Sequence, residues 1–216
     1  MLIPEPRLPD NMVRIVGVDP GTSHLGLAVL DWEYGTEQAE VVWAETLHVK
    51  DPTHDSSFGE TVGRRDARMI QLEALFEEFL RLARPTFLAT ETPFMKRGKL
   101  SAYESGVELQ LMLRRSLWRV FPTKVIHGYH PIIVKSYVGV DARGTDKEDM
   151  KRAVQKLYAN HTHVDLSTLD EHSNDAVAVC NIFVRLSLLN LNSLLPPKEK
   201  KPKGSFSKRR RKRKRG

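Results

Sequence analysis

The chain has 216 residues, of which 40% are apolar, enough for one ordinary domain with a sizeable core, and it has no uncharged apolar run of about 18 residues, which excludes a membrane-spanning helix. Its single cysteine, Cys180, excludes a disulfide framework or a cysteine-built zinc site and fits a reducing compartment, and the first residues hold no secretory pattern. The net charge of +7 is unevenly spread: residues 198–216 carry +11 and residues 94–156 carry +7, while 1–93 carry −8 and 157–197 carry −3, a pattern that points to a polyanionic partner met by one face.

Residues 1–12 hold three prolines and read as an irregular arm before a single domain over 13–195. Val13–Val18 reads as a buried strand ending in the turn Asp19-Pro20-Gly21-Thr22. Leu25–Trp32 and Val41–Val49 are the next two strands, and the short connections imply an antiparallel meander. After a polar loop over 50–63, Met69, Leu72, Phe76, Phe79 and Leu82 recur at helical spacing, and Pro85 closes that helix. Thr86–Glu91 is a fourth strand. A long helix over 101–121 carries apolar residues on more than one face, which calls for a second packing partner, either within the domain or in another subunit. Lys124–His127 is a fifth short strand, His130–Val138 a brief helix, 139–146 a loop and Lys147–Asn160 a basic amphipathic helix. Thr168 and Glu171 have capping-box spacing and open a final apolar helix to about Leu191. Residues 196–216 form a polybasic tail expected to be disordered. The fold class is therefore α/β, with a five-stranded mixed sheet, three antiparallel strands followed by two parallel ones, flanked by helices.

Two carboxylates stand out because each ends a hydrophobic strand: Asp19 after Val16-Gly17-Val18, and Glu91 after Phe87-Leu88-Ala89-Thr90. His172 and Asp175, three apart at the start of the last helix, share one face. Each has an ordinary explanation: an Asx turn for Asp19, a solvated strand end for Glu91, first-turn charge for Asp175, a surface position for His172. Together, three acidic groups and an imidazole at the mouths of their elements suit a hard divalent cation.

The string Val16-Gly17-Val18-Asp19-Pro20-Gly21-Thr22-Ser23-His24-Leu25-Gly26-Leu27-Ala28, with Ala89-Thr90-Glu91-Thr92-Pro93-Phe94 and His172-Ser173-Asn174-Asp175-Ala176, resembles the motifs of RuvC-type Holliday-junction resolvases, which have the RNase H-like fold. Val134-Lys135-Ser136-Tyr137 and Gly144-Thr145-Asp146-Lys147 resemble that family's basic loop and helix, and the likeness spans about residues 13–190. It implies metal-binding Asp19, Glu91 and Asp175, with His172 completing the site, since members carry Asp or His there. It also implies a catalytic Lys147 near the scissile phosphate, two Mg²⁺ per site with Mn²⁺ as a substitute, and a Phe94 that stacks in the opened junction centre. The expected reaction is paired hydrolysis of a four-way junction to 5′-phosphate products by a homodimer, its contact on the 101–121 helix. The cationic surface would comprise Lys96, Arg97, Lys99, Arg114, Arg115, Lys124, Lys135, Arg143, Lys151 and Arg152, and the tail would bind nucleic acid nonspecifically or dock a protein. The expected location is the cytoplasm or nucleoid, or the nucleus of a eukaryote.

The Pro-rich start, the long loop over 50–63 and the tail depart from the family pattern. Alternatives are a related nuclease acting on other branched DNA or on RNA, and a non-catalytic junction-binding protein. An actin-like nucleotide-binding fold fits less well, because there is no second Gly-rich Asp motif.

Overall fold

In the computed structural model, which describes residues 3, 8–49, 61, 63–95, 98–140 and 147–189, the central strand is β1 (Met12–Pro20). It pairs antiparallel with β2 (His24–Glu33), which pairs antiparallel with β3 (Ala39–His48). On its other edge β1 runs parallel to β4 (Phe87–Glu91), and β4 parallel to β5 (Ile126–Tyr129), giving the order β3-β2-β1-β4-β5. This is the expected mixed sheet. Both faces are covered, which is why β1 and β2 read as near-continuous apolar runs with no alternation.

One face packs Val16, Val18, Leu27 and Val29 under α1 (Arg64–Ala83) and α2 (Leu100–Val120). The other packs Val13, Ile15, Ala28 and Leu30 under α3 (Pro131–Tyr137), α4 (Lys147–Tyr158) and α5 (Glu171–Phe183). A π-helical turn, Val184–Leu188, continues α5. No helix among the described residues is long and apolar enough to cross a membrane. α2 buries Leu109, Met112, Leu113 and Leu117 against the sheet, yet leaves Leu111 and Trp118 59% and 67% exposed, so its second apolar face is open in the single chain.

Two local expectations shift. The fifth strand begins two residues later than expected, because Lys124 belongs to the turn that follows α2: its N–H donates to Phe121 O (3.0 Å). The expected capping box does not form. Thr168 Oγ1 donates to Asp165 O (2.8 Å) inside an Asp165–Ser167 turn, and Asp170 caps α5 instead, its Oδ1 accepting from Ser173 N at 2.9 Å. Most of the expected loop over 50–63, residues 141–146 of the expected 139–146 loop, and the tail lie outside the described residues.

Candidate active site

The parallel pairing of β1 with β4 puts Val18 beside Thr90, so the next residues, Asp19 and Glu91, end neighbouring strands on the face that α5 covers. The third group arrives through glycine. A Cβ at Gly17 would lie 2.1 Å from Ala176 O, and one at Gly26, paired with Asp19 across the β1–β2 ladder, 2.2 Å from His172 O. Only hydrogen side chains let α5 lie backbone-to-backbone on the sheet here. That approach carries His172 and, one turn further on, Asp175 to the rim. His172 Nδ1 is 2.8 Å from Asp19 Oδ2; a carboxylate accepts, so Nδ1 carries the hydrogen in this contact.

The surrounding chain holds these parts in place. Thr46 Oγ1 donates to Asp170 Oδ1 at 2.6 Å, tying the cap of α5 to β3. Gln110 Nε2, buried on α2, donates to Glu91 O at 2.6 Å and anchors the end of β4. Thr92 N donates to Tyr129 O at 2.8 Å, which fixes the chain leading to Phe94.

The electrostatics follow from burial and like charge. Burial, then Asp19 and Asp175, push the Glu91 carboxyl up to about 8, with Lys135 opposing. Burial, then Asp19 and Glu171, push Asp175 up to about 7, with Lys135 and His172 opposing. The hydrogen bond to Asp19 raises His172. Three hard oxygen-donor groups, of which Asp19 raises both others and Asp175 raises Glu91, with one partly buried lysine as counter-charge, are the donor set a divalent cation fits. They are not gathered as a ready ligand cluster: among the described residues no three His, Cys, Asp or Glu side chains stand close enough to hold an ion as they lie. Asp19 commits an oxygen to His172. Asp19 and Glu91 line a cleft of about 300 Å³ with Pro93, Phe94, Lys99 and Pro131, whereas Asp175 lines an adjoining cavity of about 510 Å³ with Lys135, Lys147, Lys151 and Asn174.

The other residues singled out in the sequence divide into groups. Phe94 is 36% exposed, its ring 5.4 Å from that of His130. Lys99, Lys135, Lys147 and Lys151 surround the carboxylates; Lys147 pairs with Glu171, and Lys151 Nζ donates to Leu169 O at 3.1 Å. Arg152, on α4, pairs with Asp149 at 2.8 Å. Arg114 and Arg115 lie in the second half of α2, and Arg115 is bidentate to Glu73 of α1 at 2.7 and 2.8 Å. Lys124 is at the opposite end of the sheet, its Nζ 3.3 Å from Thr86 O. Lys96, Arg97 and Arg143 fall outside the described residues.

Sequence reasoning passed over two residues near the site. Asp170 is one, as the cap of α5. The other is His24, whose ring stacks on that of His172 with centroids 3.6 Å apart and planes at 30°. Its position one strand-turn after Asp19 was the available signal, since an antiparallel return brings the start of β2 back to the rim.

No protein-family model matches the sequence, and no curated protein is matched by it. The sheet order and the helices on both faces are those of the RNase H-like fold, and solved structures agree. Thermus thermophilus RuvC in complex with a Holliday junction substrate is 20% identical over 81% of this chain and 96% of that one, with a TM-score of 0.58. The yeast mitochondrial Holliday junction resolvase Ydc2 is 11% identical over 85% of each chain, with a TM-score of 0.53. The fowlpox virus resolvase in its complex with Holliday junction DNA is 8% identical over 79% of this chain and 98% of that one, with a TM-score of 0.50. The chain thus has the fold of RuvC and these resolvases.

Proposed function

We propose that the chain is a metal-dependent endonuclease that resolves four-way DNA junctions, hydrolysing a phosphodiester to a 5′-phosphate and a 3′-hydroxyl. The observation that carries the reading is the rim itself: Asp19 and Glu91 end adjacent strands, and Gly17 and Gly26 let α5 deliver His172 and Asp175 beside them. The fold shared with three junction resolvases supports it.

Asp19, Glu91, Asp175 and His172 would hold Mg²⁺. When bound, a pair of such ions neutralises charge on the attacking and leaving oxygens of an in-line displacement. The chain's own residues do the rest. Asp19 holds the His172 hydrogen at Nδ1 and so leaves Nε2 outside that bond. A neutral imidazole in place of a fourth carboxylate lowers the site's negative charge, which shifts preference towards Mn²⁺. Lys135 offsets part of the carboxylate charge before substrate arrives. Lys99, Lys135, Lys147 and Lys151 line the two adjoining cavities and take DNA phosphates, which set register without reading sequence. Phe94, exposed at the mouth of the cleft, stacks on an unpaired base, worth roughly 1–3 kcal/mol. Leu111 and Trp118 on α2, with exposed Ile70 on α1, form the face for a second copy, and a twofold dimer reaches two symmetric junction strands at once. The polybasic tail adds nonspecific affinity.

The test is cleavage of a synthetic four-way junction with Mg²⁺ beside plain duplex, a flap and an RNA–DNA hybrid. Paired symmetric nicks on the junction are expected. Cleavage of the flap or the hybrid with the junction left intact overturns the reading.

A further inference from the structure

His24 touches the rim yet has no part in the reaction just described. Its ring lies over the Asp19 turn: a Cβ on Gly21 would fall 2.3 Å from His24 Nε2, so the ring occupies the space a side chain there would take. The turn is closed by Gly21 N donating to His24 O at 3.0 Å, and Ser23 Oγ lies 3.3 Å from His24 Nδ1. The ring also stacks on that of His172 at a centroid separation of 3.6 Å. The hydrogen bond to Asp19 pins one atom of the His172 imidazole, at Nδ1. The side chain turns about two bonds, Cα–Cβ and Cβ–Cγ, so coupled turns that keep Nδ1 within reach of Asp19 still tilt the ring, and the direction of Nε2 tilts with it. A flat neighbour at stacking distance removes that freedom.

We propose that His24 is a positioning residue: by stacking it fixes the plane of His172, so that Asp19 sets which nitrogen bears the hydrogen and His24 sets where the other nitrogen aims. The kinetic consequence rests on the nuclease reading; the orientation does not. Groups that orient a metal-binding imidazole change metal affinity by about 10–100-fold when lost. The same range is expected here, because on the nuclease reading Nε2 is the His172 nitrogen left to take a metal.

Two substitutions separate the plane of the ring from its polarity. H24F keeps a flat ring and removes both nitrogens, and H24L keeps apolar bulk without a plane. In the metal-free full chain, at a pH high enough to leave the His172 ring neutral, its nitrogens are read by long-range ¹H–¹⁵N correlation. On a four-way junction, the Mg²⁺ and Mn²⁺ concentrations for half-maximal cutting are measured. Wild type and H24F should show one fixed tautomer and half-saturation within about threefold of each other, whereas H24L should show averaged His172 signals and half-saturation about 10–100-fold higher. If H24L leaves both readouts unchanged, or H24F loses as much as H24L, the proposal is overturned. Should H24L fail to fold, G21A makes the same test, since its methyl displaces the His24 ring while leaving the residue in place. A wild-type chain that cuts no junction removes the nuclease reading, and the His172 spectra then decide the stacking on their own.

Discussion

The two ends of β1 treat buried charge in opposite ways. At the end where the strand begins, Arg14 and Asp31 of β2 are 2% and 6% exposed and meet in a bidentate pair, Nε to Oδ1 and Nη2 to Oδ2, both at 2.8 Å. Each charge is answered within the chain. At the other end Asp19, Glu91 and Asp175 share one rim, and the chain supplies mainly Lys135 and the His172 contact against them. The first arrangement is complete without a ligand. The second is balanced only in part within the chain, which is how the proposed site differs from a structural ion pair built of the same side-chain types.

Substitutions at the two ends should therefore part activity from stability. Asp19→Asn removes the carboxylate common to the His172 contact and to the Glu91 and Asp175 repulsion. Junction cleavage should fall by roughly 10³-fold or more, corresponding to several kcal/mol of lost transition-state stabilisation, while the thermal midpoint stays level or rises. Undiminished cutting breaks the comparison at its functional end. Arg14→Ala should do the reverse. It leaves Asp31 buried and unanswered, at a cost of about 3–5 kcal/mol in urea unfolding, with cleavage by the folded fraction unchanged. Arg14→Met with Asp31→Leu should recover most of that loss, because removing both charges costs far less than stranding one.

The pH dependence sharpens the contrast. Glu91 and Asp175 have folded pKa values of about 8 and about 7, above the ordinary carboxylate range, so the folded chain binds protons that the unfolded chain has released. Stability of the metal-free protein therefore falls as pH rises from about 5 to about 8. His172, raised by Asp19, acts in the same direction, whereas His24 and His127, lowered chiefly by burial, act in the opposite one. The clean measurement is the difference between wild type and Glu91→Gln. The variant should be more stable by about 1–3 kcal/mol at pH 8.5 and nearly equal to wild type at pH 5. Added Mg²⁺ should close the gap at pH 8.5 from the wild-type side. An equal gap at both pH values would mean that the rim carboxylates carry no such strain.

Asp19 and Glu91 were legible as a pair in the sequence because a carboxylate closing an apolar strand shows in a one-dimensional pattern, and parallel strands bring like ends together. The five strands and their directions were legible for the same reason. What escaped depends on contacts between distant segments. Thr168 and Glu171 have the spacing of a capping box, but the competing Asp165 turn takes the Thr168 hydroxyl and leaves the cap to Asp170. Gly17 and Gly26 matched a motif, while their use, clearance for the α5 backbone, exists only once α5 is docked. His24 belongs to the rim through a ring stacked on it from the far end of the chain. In the sequence the basic residues read as one surface, because composition records a charge and not its partner.

That last difference carries the smallest expected effect and separates lysines at the rim from arginines at the α1–α2 seam. Lys135 lies beside Asp175 and Glu91 in the rim's field, where bound DNA would add its own charge. Arg115 gives two hydrogen bonds to Glu73, which also takes one from Arg119 at 2.9 Å. A guanidinium already answered by a carboxylate releases no counterion when DNA arrives, whereas a lysine that moves onto a phosphate does. Lys135→Ala should therefore lower the slope of log affinity against log salt for junction binding by about one. Arg115→Ala should leave that slope unchanged and loosen the α1–α2 seam instead, visible as a lower thermal midpoint. Equal slopes for the two variants would place both residues, or neither, on the DNA.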